Sequence, residues 1–183
     1  MPKISQVPVP KPFVEVFKQS GIKIKQFKSP LGFERELKKF IKRNHVLHLA
    51  TSKNGIARST PLEYRSQGLT FFVLSEGGGK FENLKHSRKV SFSIAEPYNS
   101  EEGYWTYKGI QAWCTAKVYS RSKNPKQFAE AVKKMDLRKS LKNLRMKDLP
   151  PNINYRIIEL DPDKIKYGNP TDGIFRVTWT KKG

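Results

Sequence analysis

Residues 45–65 read HVLHLATSKNGIARSTPLEYR. Apolar and polar side chains alternate on both sides of Asn54-Gly55, a pair suited to the positive backbone angles of a two-residue hairpin turn. The segment therefore predicts strand, tight turn, strand. Pro61 falls inside the second strand. A proline cannot donate to a ladder, so this strand is expected at a sheet edge or a bulge.

The same period of two continues downstream. LTFFVLS (69–75) reads as a third strand and KVSFSIAE (89–96) as a fourth, with GKFENLKHS between them. GYWTYKGIQAWCTAKVYS (103–120) predicts a long strand broken or bulged near Gly109, along which Ile110, Ala112, Cys114, Ala116 and Val118 share one face. YRIIEL (155–160) and GIFRVTW (173–179) supply closing strands, separated by DPDKIKYGNPTDG, which is rich in turn formers.

Helical spacing appears twice. FERELKKFIKRN (33–44) places Phe33, Leu37, Phe40 and Ile41 on one face and predicts an amphipathic helix ending near Asn44. NPKQFAEAVKKMDLRKSLKNLRMKD (124–148) does the same with Phe128, Val132 and Met135. Six or seven strands with helices before, between and after them indicate a mainly β (α+β) fold, an antiparallel barrel or sandwich with α additions. Residues 1–30, with five prolines and scattered lysines, read as a basic N-terminal arm holding a short helix near Phe13–Lys18. Residues 31–183 read as the domain proper, with a helical basic insert at about 121–150.

The chain carries 36 Lys and Arg against 16 Asp and Glu, a net charge of +20 that attracts polyanions and phosphorylated small molecules alike. The excess is spread over the arm, over Arg35–Arg43 and over Arg121–Lys147. No helix-turn-helix, zinc-finger or RNA-recognition signature accompanies it, so a lysine-rich solvated surface is favoured over a nucleic-acid site. The opening residues lack a secretory apolar core and no run is long enough to span a membrane, so a cytoplasmic protein with no membrane partner is expected. The lone Cys114 excludes an internal disulfide and a thiolate metal cluster. His45 and His48, three apart on a strand, point to opposite faces, and no metal is expected.

FFVLSEGGGKFENLK (71–85) looks at first like a nucleotide-hydrolase loop. That loop needs Gly-x-x-x-x-Gly-Lys-Ser/Thr, and here Phe81 stands where the magnesium-binding hydroxyl belongs. A looser phosphate cradle remains. Gly77, Gly78 and Gly79 permit close backbone approach, Ser75 and Lys80 supply donors, and a helix starting near Lys80 would aim free amides at an anion. The segment also reads as a plain flexible connection with Lys80 as a surface charge. Arg58, on the second hairpin strand, is the cation that would complete a phosphate site with Lys80.

The order of features in RSTPLEYRSQGLTFFVLSEGGGKFENLKHSRKVSFSI (58–94) resembles the pyridoxamine 5′-phosphate oxidase-like, FMN-binding split-barrel family. The resemblance runs from about Phe33 to Ser120 and again from Tyr155 to Trp179. It implies a six-stranded antiparallel split β-barrel with flanking helices, a homodimer with FMN at the subunit interface, and an FMN-dependent oxidoreductase acting on a small-molecule substrate. It implies that Arg58 and Lys80 hold the FMN phosphate with Ser75 as a further donor, and that Ser59, Thr60, Pro61 and Leu62 line the isoalloxazine ring. Gln111 matches a position that reaches the flavin from the partner subunit, and Trp179 resembles a tryptophan found late in some members. The catalytic residues are not identified. The Arg-x-His of true pyridoxamine phosphate oxidases is replaced by Arg176-Val177-Thr178, which argues against pyridoxine phosphate oxidation. The alternatives are a non-catalytic carrier of flavin or haem and a basic nucleic-acid-binding protein.

Overall fold

The structure is a computed structural model and describes residues 1–182; Gly183, the end of the expected 31–183 domain, lies outside the described residues. In chain order the elements are β1 (Lys3–Gln6), α1 (Lys11–Gln19), α2 (Pro30–Arg43), β2 (Val46–Lys53), β3 (Ile56–Glu63), β4 (Arg65–Gln67), β5 (Thr70–Ser75) and α3 (Gly79–His86). They continue as β6 (Lys89–Ala95), β7 (Gly109–Ser120), α4 (Pro125–Met135), α5 (Arg138–Asn143), β8 (Arg156–Asn169) and β9 (Ile174–Thr180). Nine strands thus occur among the described residues where the sequence pattern predicts six or seven and the family resemblance six, β1 and the three-residue β4 being additions to the pattern. The strand order ends at β1 and β3 without closing, and every strand pair whose register is resolved runs antiparallel. The fold is mainly antiparallel β with flanking helices, an open sheet of split-barrel type.

The chain divides into two compact units, the first comprising residues 1–44, 91–113 and 162 onward, the second residues 45–90 and 114–161. In the first unit β1 pairs with β9 and β9 with β8. Helix α2 begins at Pro30, with Ser29 Oγ accepting from the Gly32 N–H at 3.3 Å, and it buries Phe33, Leu37, Phe40 and Ile41 as its spacing predicts. Contrary to the expectation of an arm over residues 1–30, β1 is part of the sheet and α1 buries Phe17 edge-on against Trp105 and Phe175 at 4.8 and 6.1 Å. The local proline content masks this because the pairing partner, β9, is supplied by the far end of the chain.

Two further boundaries differ. The long strand begins only at Gly109; residues Tyr104–Thr106 form a tight 3-10 turn. A Cβ on Gly109 would lie 2.9 Å from the Ile94 carbonyl oxygen, so the close approach requires glycine. Downstream, β8 runs through Pro162 to Asn169 instead of stopping at Leu160, and the turn is confined to Pro170–Asp172.

In the second unit the hairpin is as expected. Asn54 and Gly55 take φ of 51° and 77°, and β2 and β3 stay in register from Val46 opposite Glu63 to Lys53 opposite Ile56. Pro61 sits opposite His48 within an unbroken register, and β3 is an end strand, where the missing N–H is tolerated. β5 pairs with β4 and with the first part of β8. Helix α4 buries Phe128, Ala131 and Met135 against Phe72 and Ile157, so the insert contributes to the core of this unit. It also helps wall an apolar cavity of about 230 Å³ beside Tyr64, Leu74 and Tyr155.

Candidate functional site

The loop 75–79 and helix α3 lie beside the β2–β3 hairpin. Asn83 Nδ2 on α3 donates to Thr51 Oγ1 at 3.0 Å, and Thr51 is the register partner of Arg58. One side-chain bond thus fastens the helix to the hairpin that carries Arg58. Gly78 takes a φ of 100°, which bends the loop into α3 in a conformation few other residues adopt.

Three cations meet here. A Cβ on Gly79 would stand 2.9 to 3.1 Å from the Arg58 guanidinium, so that side chain lies against the bare glycine backbone. Lys80, only 7% exposed, points Nζ back to the Gly77 carbonyl oxygen and lies 4.9 Å from the Phe81 ring centre. Arg156, the first residue of β8, stacks over the same ring at 4.7 Å and pairs in register with Ser75. Burial first, then the charges of Arg58 and Arg156, push the Lys80 ammonium below the ordinary lysine pKa. Among the described residues none of the three has a carboxylate within ion-pair distance. Glu82, the acidic residue of α3, is taken up by Lys85 at 2.8 Å. Like charges held together without counter-charge favour an anion beside them, and the start of α3 adds the positive end of a helix dipole.

Arg58 and Ser59 also line an open cavity of about 480 Å³ with Lys53, Asn54 and Asn83. Further along β3, Pro61 is exposed and Leu62 half-buried. The Thr60 hydroxyl oxygen is buried and finds no hydrogen-bond partner among the described residues. Ser75 Oγ donates to the Gly77 carbonyl oxygen at 3.5 Å, a long contact that a better acceptor can replace.

The structure therefore brings Arg58, Ser75 and Lys80 to one place. It adds Arg156, which sequence reasoning missed because only the pairing of β5 with β8 delivers it. Gln111 and Trp179 belong to the first unit. Gln111 is exposed on β7 and lines a cavity of about 730 Å³ with Tyr107, Lys166, Arg176 and Thr178. Trp179 is 5% exposed, and its indole N–H donates to Glu34 Oε1 at 3.0 Å, so its ring is committed to the interior of that unit. His45 and His48 are exposed, and no cluster of metal-ligating side chains occurs among the described residues. No helix among them is long and apolar enough to cross a membrane.

Against known families, residues 33–168 match the profile described as pyridoxamine 5′-phosphate oxidase. Among solved structures, the chain is similar to a Clostridium acetobutylicum protein related to general stress protein 26, of the pyridoxinephosphate oxidase family. Identity is 14% and TM-score 0.56, covering 82% of this chain and 95% of that one. It is also similar to an FAD-binding protein from Mesorhizobium loti, at 16% identity and TM-score 0.51 over 80% and 93% of the two chains. HutZ, the heme storage protein of Vibrio cholerae, aligns at 20% identity and TM-score 0.54 over 70% and 89%. At these identities the likeness establishes the fold. No curated protein sequence matches the chain.

Proposed function

Because the chain belongs to the pyridoxamine 5′-phosphate oxidase family, we propose that it is a flavoprotein that grips its cofactor by a phosphate at Arg58 and Lys80. FMN is the smallest flavin with the required group. The observation that carries this reading is the uncompensated cation cluster against Gly79, a cradle that a Cβ would fill. A phosphate dianion supplies the missing counter-charge, and a guanidinium and an ammonium are the side chains suited to bind it. The FAD-binding Mesorhizobium loti relative supports a flavin on this fold.

Within that reading Arg58 and Lys80 hold the phosphate, Arg156 reinforces their field, and Ser75 Oγ turns from the Gly77 carbonyl to a phosphate oxygen. The backbone of Ser59 to Leu62 lines the ring, where the Thr60 hydroxyl gains the partner it lacks. The bound flavin supplies the hydride chemistry, while the chain supplies orientation and a positive potential that favours a ligand gaining negative charge. A small donor such as reduced nicotinamide and a small-molecule acceptor are the substrates, and the protein works as a homodimer with the cofactor at the subunit interface. Gln111 then serves the partner's cofactor.

Titrating FMN into the purified protein, followed by flavin fluorescence and the visible spectrum, tests the reading. Saturable binding with a flavin spectrum is expected. A protein that neither carries nor takes up a flavin, or that carries heme in its place, would overturn it.

A further inference from the structure

Arg156 serves two places at once. Besides adding to the field at Lys80, it lines a second cavity of the same unit, of about 280 Å³, which Phe81 also borders. Arg88 and Lys123 face this cavity, and among the described residues neither has a carboxylate partner. Lys85 lies there too, but it is tied to Glu82. The walls are mixed. Leu84 and Val118 give apolar surface, whereas the exposed Asn154 presents a side-chain amide. No acidic side chain lines it.

A single phosphate monoester is served by about two cationic donors, and Arg58 and Lys80 already provide them. Arg88 and Lys123, with Arg156 at the junction, are a surplus arranged in the direction of a nucleoside-sized hollow. Charges left without counter-ions around a partly apolar cavity suit a ligand that is anionic at its near end and flat and hydrogen-bonding at its far end.

We infer that the phosphate bound by Arg58 and Lys80 is one half of a diphosphate, that Arg156, Arg88 and Lys123 take the second phosphate, and that the adjoining cavity takes the attached nucleoside. The ligand class is a flavin dinucleotide, FAD, in preference to the monophosphate. Leu84 and Val118 would pack against the base and Asn154 would bond to its polar edge. This inference rests on the flavin reading and sharpens it.

Dissociation constants for FMN and for FAD, read from flavin fluorescence at one fixed ionic strength, test it on the full chain. FAD is expected to bind at least about tenfold more tightly, the effect of one good charge-assisted contact. The double variant Arg88→Ala, Lys123→Ala, at two exposed positions, should bring FAD down to the affinity of FMN while changing FMN by less than about twofold. The inference is overturned if FAD binds no more tightly than FMN, or if the double variant leaves the ratio of the two unchanged. Binding of neither flavin is a different outcome: it removes the flavin reading itself, and the dinucleotide with it.

Discussion

Helices α2 and α3 both carry lysines, yet their charges live differently. On and around α2 four cations find a carboxylate: Lys38 meets Glu34 at 3.2 Å, Lys39 and Lys25 meet Glu36 at 2.9 and 3.6 Å, and Arg43 meets Glu96 at 2.8 Å, while Arg35 and Lys42 show no ion pair among the described residues. The Lys39 hydrogen bond holds the Glu36 carboxyl below its usual pKa, as expected of an internally balanced surface. At the start of α3 the opposite holds. Lys80 is buried beside two arginines, its charge opposed by its surroundings and matched by no acid among the described residues. The number of cations, or a single unpaired one such as Arg35 or Lys42, is therefore a poor guide to an anion site; what sets α3 apart is a buried lysine held beside two arginines with no carboxylate partner among the described residues.

The largest expected effect separates the two helices outright. Arg58→Ala combined with Lys80→Ala removes two charge-assisted contacts of about 1.5–3 kcal/mol each, so flavin affinity should fall about 100-fold or more. Isothermal titration with the far-UV spectrum as a fold control reads this, and unchanged affinity would erase the contrast. A smaller effect isolates the cradle. Gly79→Ala puts a methyl within 2.9 Å of the guanidinium, whose flexible end can swing away, so affinity should drop about tenfold while the melting temperature holds. If the melting temperature falls and affinity holds, the close approach serves packing alone. The smallest effect belongs to α2. Lys38→Ala with Lys39→Ala should change stability by less than about 0.5 kcal/mol and leave flavin affinity alone. An affinity loss there matching that of the first variant would mean that net charge, rather than a local site, attracts the ligand.

Local pattern made much of this legible. Asn54-Gly55 announces its turn because both positions need positive φ, and α2 announces its buried face through Phe33, Leu37, Phe40 and Ile41. The alternation in β7 correctly buries Ile110, Ala112, Cys114 and Ala116. Arg58 and Lys80 were visible as candidates because a strand proline and a glycine run flagged the backbone around them. What stayed hidden depends on long-range pairing. Arg156 is an ordinary strand-end arginine until β5 pairs with β8 and places it opposite Ser75. The extension of β8 across Pro162 overrides turn-forming residues, and β1 finds β9 from the other end of the chain. Thr60 shows no local sign that its hydroxyl will be buried without a partner.

The hydrogen bond from Asn83 to Thr51 does more than dock a helix. By tying α3 to the strand paired with β3, it helps to hold Lys80 beside Arg58, whose charge, after burial, lowers the Lys80 pKa. That arrangement exists in the folded state and not in the unfolded one, so an anion bound there would raise resistance to heat and to proteolysis by mass action. On the proposed flavin reading, the quantity of intact protein would then follow the supply of the cofactor through the lifetime of the chain itself.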